Sequence, residues 1–227
     1  MNKTKTIAGQ LLVAIVPLVY LYFIWNTLPE SIPTHFNGRF EADKFGTKSD
    51  ILKALLVMAL VSIGLSLLIN NLNAIDPKKR YPDENSLMTK ISWTVVIFIS
   101  LLMLIIVYTT KNYGQANISS LFHKSIFILV ALIFAVLGKL MTNLKPNYFI
   151  GIRTPWTLED GDNWQKTHQL ASRIWFWGGL LTLLLIIIMP ADYSHYIFLS
   201  TIIPIALVPV VYSFILFREK KRKGSNG

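Results

Sequence analysis

The chain has 227 residues, of which 53% are hydrophobic and 15% are charged, and its mean hydropathy is +0.49. These values exclude an ordinary soluble domain and indicate an integral membrane protein. The sequence contains no cysteine, which excludes disulfides, thiol catalysis and cysteine-bound metals.

Six apolar runs are long enough to cross about 30 Å of hydrocarbon as helices. They predict an all-α integral membrane bundle of about six transmembrane helices. We place the spans near 7–28, 51–74, 91–110, 121–144, 174–191 and 197–217. The first run resembles a secretory signal, but its length and the lack of an Ala-x-Ala-like end favour a retained anchor.

The net charge of +10 is distributed unevenly along the chain. Lys and Arg cluster at the N-terminus, in 76–90, in 139–173 and after Phe217, whereas the intervening loops carry fewer. Alternate basic loops follow the positive-inside rule and predict that both termini are cytoplasmic. The basic C-terminal run contains no interleaved aromatic residues, so we expect contact with anionic lipid and no direct nucleic-acid binding.

Two substantial loops, 29–50 and 145–173, are predicted to lie on opposite sides of the membrane. In the first, Pro29 and Pro33 disfavour helix, and Asn37-Gly38 is a turn signal, which predicts an ordered extracytoplasmic turn or short hairpin.

The second loop leads into the fifth span. Gly151 and Pro155 predict irregular backbone, after which Thr157 or Asp162 is expected to cap a helix that continues into the membrane. On that helix, side chains four, seven and eleven residues apart share one face: Trp164, His168, Ala171 and Trp175.

The spans contain few polar groups and no acidic residue. Small or neutral polar residues are expected to hold helices together: Gln10, Ser62, Ser66, Ser100, Thr182 and Ser200. Three lysines near span ends, Lys53, Lys124 and Lys139, are expected to extend to the headgroups. Three prolines inside spans are candidate kinks: Pro17, Pro204 and Pro209.

The two loops carry a recognisable pair of motifs. Ile150-Gly-Ile-Arg-Thr-Pro-Trp-Thr-Leu158, followed by Trp164-Gln-Lys-Thr-His168, closely resembles the signature of the SdpI immunity-protein family. The 28–48 loop resembles a small domain of unknown function that commonly precedes that signature. Its hallmarks here are Pro33, His35, Asn37, Asp43 and Lys48. The sequence departs from the usual pattern at Phe40, Ala42 and Ser172.

The resemblance implies a multi-pass protein of the bacterial cytoplasmic membrane that protects its producer against a secreted, membrane-active toxic peptide. It also implies a second role, in which the toxin-engaged protein recruits a cytoplasmic transcriptional repressor. On this basis we divide the chain into a two-helix unit, 1–74, with extracytoplasmic loop 29–50, and an SdpI-like four-helix unit, 75–227, with signature loop 145–173.

The signature loop supplies the main candidate site. Its functional-motif residues are Arg153, Trp156, Thr157, Asn163, Trp164 and His168. Arg153 suits a phosphate or carboxylate, or alternatively the carbonyls at a helix end. His168 suits proton transfer, but a structural hydrogen-bonding role is favoured because no acidic residue lies one turn away to orient it. The tryptophans are typical of the membrane interface, although the cluster could line one polar-aromatic pocket.

The outer loop offers His35 and Asp43, which fall short of the three or four ligands of a zinc site, so a structural role is favoured. Three phenylalanines there are candidates for toxin contact: Phe36, Phe40 and Phe45. We expect no metal, no cofactor and no enzymatic constellation. The main alternative is a membrane enzyme or lipid- or ligand-binding protein with its site around Arg153 and His168, and a third hypothesis assigns that cluster to helix packing alone.

Overall fold

The computed structural model describes residues 3–37, 42–75, 85–115 and 118–224. Its helices are α1 (Lys3–Ile24), α2 (Lys48–Asn70), α3 (Leu72–Ile75), α4 (Asn85–Lys111), α5 (Ile118–Met141), α6 (Pro155–Glu159), α7 (Gly161–Ile188) and α8 (Ser194–Gly224). All except α3 and α6 are long and apolar enough to cross a membrane. The predicted six-helix membrane bundle is therefore confirmed, whereas the cytoplasmic location of the termini stays a prediction.

The transmembrane helices pack in two groups of three. Helices α1, α2 and α4 contact one another, as do α5, α7 and α8, and α4 also packs against α5. The predicted division of the sequence at residue 74 stays a prediction.

The predicted outer loop contains an antiparallel hairpin of β1 (Ile32–Phe36) and β2 (Ala42–Gly46). This confirms the hairpin alternative, although Gly38 and Phe40, at its expected turn, lie outside the described residues.

Three prolines lie inside helices, Pro17 in α1 and Pro204 and Pro209 in α8, and at two of them a neighbouring helix supplies the missing hydrogen-bond donor. Proline lacks an N–H, so Pro17 frees the carbonyl of Val13, and Pro209 frees that of Ile205. Side chains of neighbouring helices replace the missing donors. Ser100 Oγ donates to the Val13 carbonyl at 2.9 Å, and Trp175 Nε1 donates to the Ile205 carbonyl at 3.0 Å. Pro17 and Pro209 therefore lie within continuous helices. Because the hydrocarbon contains no water, each freed carbonyl has to find its hydrogen-bond donor inside the protein.

A buried polar cluster joins α1, α2 and α4. The Gln10 amide donates to Ser92 at 2.9 Å and accepts from Ser66 at 2.6 Å, while the Asn70 amide donates to both Gln10 and Ser92. These bonds confirm the predicted helix-joining role of Gln10 and Ser66. By contrast, Thr182 and Ser200 donate to carbonyls of their own helices.

Small residues let α5 and α7 approach at backbone distance. A Cβ atom added to Gly138 would lie 2.5 Å from the Phe176 nitrogen, and one added to Gly179 would lie 2.7 Å from the Ala135 nitrogen. Such contacts are the means by which helices associate in lipid, where packing replaces the hydrophobic effect. Helices α5 and α7 are therefore in backbone contact at these two glycines.

We expect Gly138→Ala to destabilise the protein, because backbone atoms of α7 cannot move aside as a flexible side chain can. The overpacking cost is about 1–3 kcal/mol. Thermal unfolding in detergent measures it. Gly64→Ala is the matched control, since a Cβ atom at that mid-helix glycine would meet nothing within 4 Å. Equal melting temperatures for the two variants would contradict this account of the α5–α7 interface.

Candidate functional site

The loop between α5 and α7 is organised by Asn147, whose side chain is fully buried. Its oxygen accepts from the backbone N–H groups of Phe149 and Ile150 at 2.9 and 2.7 Å. Its nitrogen donates to the carbonyls of Lys145 and Ile150, each at 3.0 Å. One amide thus satisfies four backbone groups, which closes the turn that precedes Gly151.

Two capping residues then start the next helices. Thr154 is the N-cap of α6, with Pro155 in the first turn and Thr157 completing a capping box. Asp160 ends α6 and caps α7, accepting from the N–H groups of Asp162 and Asn163. The predicted caps Thr157 and Asp162 were wrong, since the observed caps are Thr154 and Asp160. The reason is that Pro155 begins a helix where we expected irregular backbone.

His168 is buried, and both of its ring nitrogens have backbone partners. The N–H of Ile152 donates to Nε2 at 3.1 Å, and Nδ1 lies 2.8 Å from the carbonyl of Trp164. A backbone N–H can only donate and a carbonyl oxygen can only accept. Nδ1 therefore carries the hydrogen, and Nε2 accepts with its lone pair. Neither nitrogen is left for a substrate while these bonds persist.

Gly151 allows the loop to approach this ring. Its φ is +110°, a conformation that side chains rarely adopt, and an added Cβ atom would collide with His168 Nε2. A residue with a side chain at 151 would therefore remove the contact between His168 and the loop.

Trp164 is only 1% exposed and stacks on the His168 ring, with centroids 4.1 Å apart. Its Nε1 donates to the carbonyl of Leu144 at 2.7 Å, near the end of α5. The expectation that it belongs to an interfacial belt was wrong for this residue, because its indole closes the space between α7 and the loop.

Asn163 and Trp156 attach the loop to α8. The Asn163 amide donates to the carbonyl of Ser213 at 2.9 Å, and Trp156 Nε1 donates to the Ser213 hydroxyl at 2.9 Å. Trp156 also stacks against Phe217, with centroids 5.6 Å apart. Both predicted site residues thus bind the last helix, α8.

Arg153 differs from its neighbours because its side chain is exposed. One guanidinium nitrogen donates to the carbonyl of Tyr148, which fixes the side chain across the turn. The predicted residues are therefore not gathered as one open cluster. Trp164, Asn163, Thr157 and His168 are buried in helix and loop contacts, whereas Arg153 faces outward.

A salt bridge ties the α6–α7 junction to the end of α8. Lys220 Nζ lies 2.9 Å from Asp160 Oδ2, and this hydrogen bond holds the pKa of the Asp160 carboxyl below its ordinary value. Because the pKa of Asp160 is lower in the folded than in the unfolded chain, the ionised carboxyl stabilises the fold at pH values above its unfolded pKa. That stabilisation is lost as the pH falls through the folded-state pKa. The pair lies near the surface, so its contribution is small.

The β1–β2 hairpin, at the end of the helix bundle opposite the signature loop, carries a second cluster of paired charged residues. His35 Nδ1 lies 2.5 Å from Asp43 Oδ1, and hydrogen bonding to His35 lowers the pKa of the Asp43 carboxyl. Lys48 pairs with Glu30 at 2.9 Å. The expected structural role of His35 takes the form of a bond across the hairpin. Pro33 lies in β1, opposite Phe45, and Asn37 directly follows β1.

Aromatic contacts seat the hairpin on the helices. Phe36 packs against Phe122 of α5, with centroids 5.1 Å apart, and Phe45 packs against Tyr113, just after α4, at 5.8 Å. A small cavity of about 40 Å³ lies beneath, lined in part by Pro33, Phe36 and Phe122. The hairpin therefore contacts both groups of helices where α4 leads into α5.

Sequence reasoning missed Asn147 and Ser213 as organising residues. An Asn at the start of a loop is a turn signal, so Asn147 could have been found. Ser213 lies 50 residues beyond Asn163, and nothing in its surrounding apolar run indicates the contact.

Comparison with known families confirms the predicted resemblance. Residues 143–213 match the SdpI/YfhL protein family, and residues 12–61 match a domain of unknown function (DUF1648). Searches of curated proteins and of solved structures found no match. Together with six apolar helices, the family match identifies a multi-pass protein of the bacterial cytoplasmic membrane.

We expect His168→Ala to reduce the free energy of unfolding by about 3 kcal/mol, because it opens a cavity and leaves the Ile152 N–H without its partner. Arg153→Ala, nearby but exposed, should change it by less than about 1 kcal/mol. Thermal unfolding and membrane abundance distinguish the two variants. A stable His168→Ala protein would show that the ring is dispensable for the fold.

Proposed function

Because the chain carries an SdpI/YfhL-family region preceded by the DUF1648 domain, we propose that it is an SdpI-like immunity and sensing protein. It protects the cell against a secreted, membrane-active toxic peptide. The observation that carries this proposal is the family match over residues 143–213, which include the whole signature loop and its partner on α8, Ser213.

The hairpin is the proposed toxin-facing element. It combines exposed charged side chains with Phe45, which is half exposed, on the side of the membrane opposite the signature loop. A peptide that acts on the membrane from outside would meet these groups first. Because Phe36 and Phe45 contact the helix ends at the α4–α5 connection, binding there would act on both helix groups.

The signature loop is the proposed cytoplasmic reporting element. Its buried residues hold α7 and α8 together, and Arg153 projects from this framework with its guanidinium anchored at one nitrogen. A repressor partner with an acidic surface would be recognised by the remaining guanidinium donors.

The geometry of His168 favours this proposal over an enzyme at the same loop. A proton-transferring His needs a nitrogen within reach of a reacting group, whereas both nitrogens here bond to backbone atoms. The ring therefore supports the loop.

The test is survival of a toxin-sensitive bacterium that expresses the chain and is challenged with an Sdp-type toxic peptide. We expect the wild type to protect, and Phe45→Ala to lower protection toward that of empty vector at unchanged abundance, because it removes the exposed aromatic group. Leu60→Ala, which truncates a lipid-facing side chain of α2, is the control and should protect fully. Sensitivity of cells with abundant wild-type protein would exclude immunity to that peptide.

Arg153→Ala separates protection from reporting. We expect it to protect as the wild type does but to lose recruitment of a fluorescently labelled repressor to the membrane, because the exposed guanidinium is removed while the fold is retained. Recruitment unaffected by Arg153→Ala would exclude this residue as the contact.

A further inference from the structure

Lys139 on α5 and Arg173 on α7 are two exposed basic residues beside the contact between these two helices. The hydroxyls of Thr142 and Ser172 meet at 2.6 Å, one turn from Lys139 and next to Arg173. The contact places the two basic residues at neighbouring levels of the bundle.

The opposite end of the same helix pair fixes their depth independently. Lys124 Nζ donates to the carbonyls of Ile187 and Met189 at 3.1 and 3.0 Å. From Lys124 to Lys139 the rise is about 22 Å, and from Met189 back to Arg173 it is about 24 Å, at 1.5 Å per residue. Since the helices are antiparallel, both measures bring Lys139 and Arg173 to the same depth.

Helix geometry also places them on one side of the pair. Gly138 and Ser172 are contact positions between α5 and α7, and each basic residue directly follows one of them. A step of one residue turns the side chain by about 100°. In an antiparallel pair these turns lead to the same side, so both exposed cations flank one side of the line of contact between α5 and α7, which we call the groove.

Within residues 3–37, 42–75, 85–115 and 118–224, Lys139 and Arg173 form no salt bridge, as is also true of Lys90 and Lys166. By contrast, Lys48, Lys53 and Lys220 each form a salt bridge with a carboxylate. Lys139 and Arg173 each lie at one end of the apolar part of their helix. No charged residue occurs between Lys124 and Lys139 in α5, or between Arg173 in α7 and Asp192 after it.

The surroundings suit a lipid headgroup. Trp177, one turn from Arg173 toward the membrane interior, is 67% exposed on α7. Lys166, also exposed, lies two turns away on the same helix face, in the direction of the loop, with Asp162 one turn beyond it. Charge on the groove is therefore positive at the hydrocarbon boundary.

We infer that Lys139 and Arg173 together bind the phosphate of an anionic phospholipid, whose acyl chains lie along the groove between α5 and α7. Long basic side chains at this depth extend toward the headgroups, and a guanidinium and an ammonium on adjacent helices can hold one phosphate between them. The lipid would bridge the two helices that support the signature loop. This inference does not depend on immunity.

The test is titration of the purified full chain, in a zwitterionic detergent, with phosphatidylglycerol and with phosphatidylcholine, followed by native mass spectrometry. The double variant Lys139→Gln, Arg173→Gln should bind phosphatidylglycerol about thirtyfold more weakly than the wild type. The estimate follows because each cation near an anionic lipid contributes about 1 kcal/mol and 1.4 kcal/mol is tenfold. Phosphatidylcholine binding should be weak and unchanged.

The control Lys44→Gln, Lys111→Gln removes the same charge from exposed positions in the hairpin and at the end of α4, on the side of the bundle opposite Lys139 and Arg173, and should bind as the wild type does. The exchange Lys139→Arg, Arg173→Lys should retain binding. If the double variant does not fold, each single Gln variant should still lose about fivefold. An equal loss in the control, or displacement by inorganic phosphate at concentrations comparable to the lipid's, would overturn the lipid site.

Discussion

Every backbone group that leaves a helix within or beside the hydrocarbon has to find a partner inside the protein, and much of this structure follows from that constraint. The carbonyls freed by Pro17 and Pro209 are met by Ser100 and Trp175. In the signature loop, Asn147 satisfies four backbone groups, and His168 accepts the N–H of Ile152. At these positions, polar side chains therefore act first as partners of the backbone.

This constraint changes how the signature motif is understood. A cluster of Trp, Asn, Thr and His at a membrane surface suggests a binding pocket, yet their polar atoms are directed at carbonyls, amides and one another. The motif specifies an ordered loop that fastens α7 to α8. Arg153, by contrast, is exposed. An exposed residue held by an ordered loop is well placed to contact a partner.

The six helices, the hairpin and the family resemblance could be predicted because they depend on local signals: apolar length, turn residues and motif spacing. The helix caps were misplaced because Pro155 suits both a break and a first helical turn. The burial of Trp164 could not be foreseen, since interfacial and buried tryptophans share the same sequence context. The bond of Trp156 to Ser213 spans 57 residues, and its partner is one of many serines in apolar segments. Contacts of that kind depend on the packing of helices and are invisible to periodicity.

The packing also indicates how the two faces of the protein can be connected. The hairpin rests on the residues around the α4–α5 connection, and α5 packs on α7 through glycine and alanine at backbone distance. Such an interface cannot deform gradually, so a displacement of α5 would be passed to α7 as a rigid shift. Helix α7 begins at Gly161, directly after its cap Asp160 in the loop that displays Arg153, and its Asn163 side chain holds α8 at Ser213. Coupling between the faces would therefore pass through α5 and α7 and needs no polar residue at the centre of the membrane.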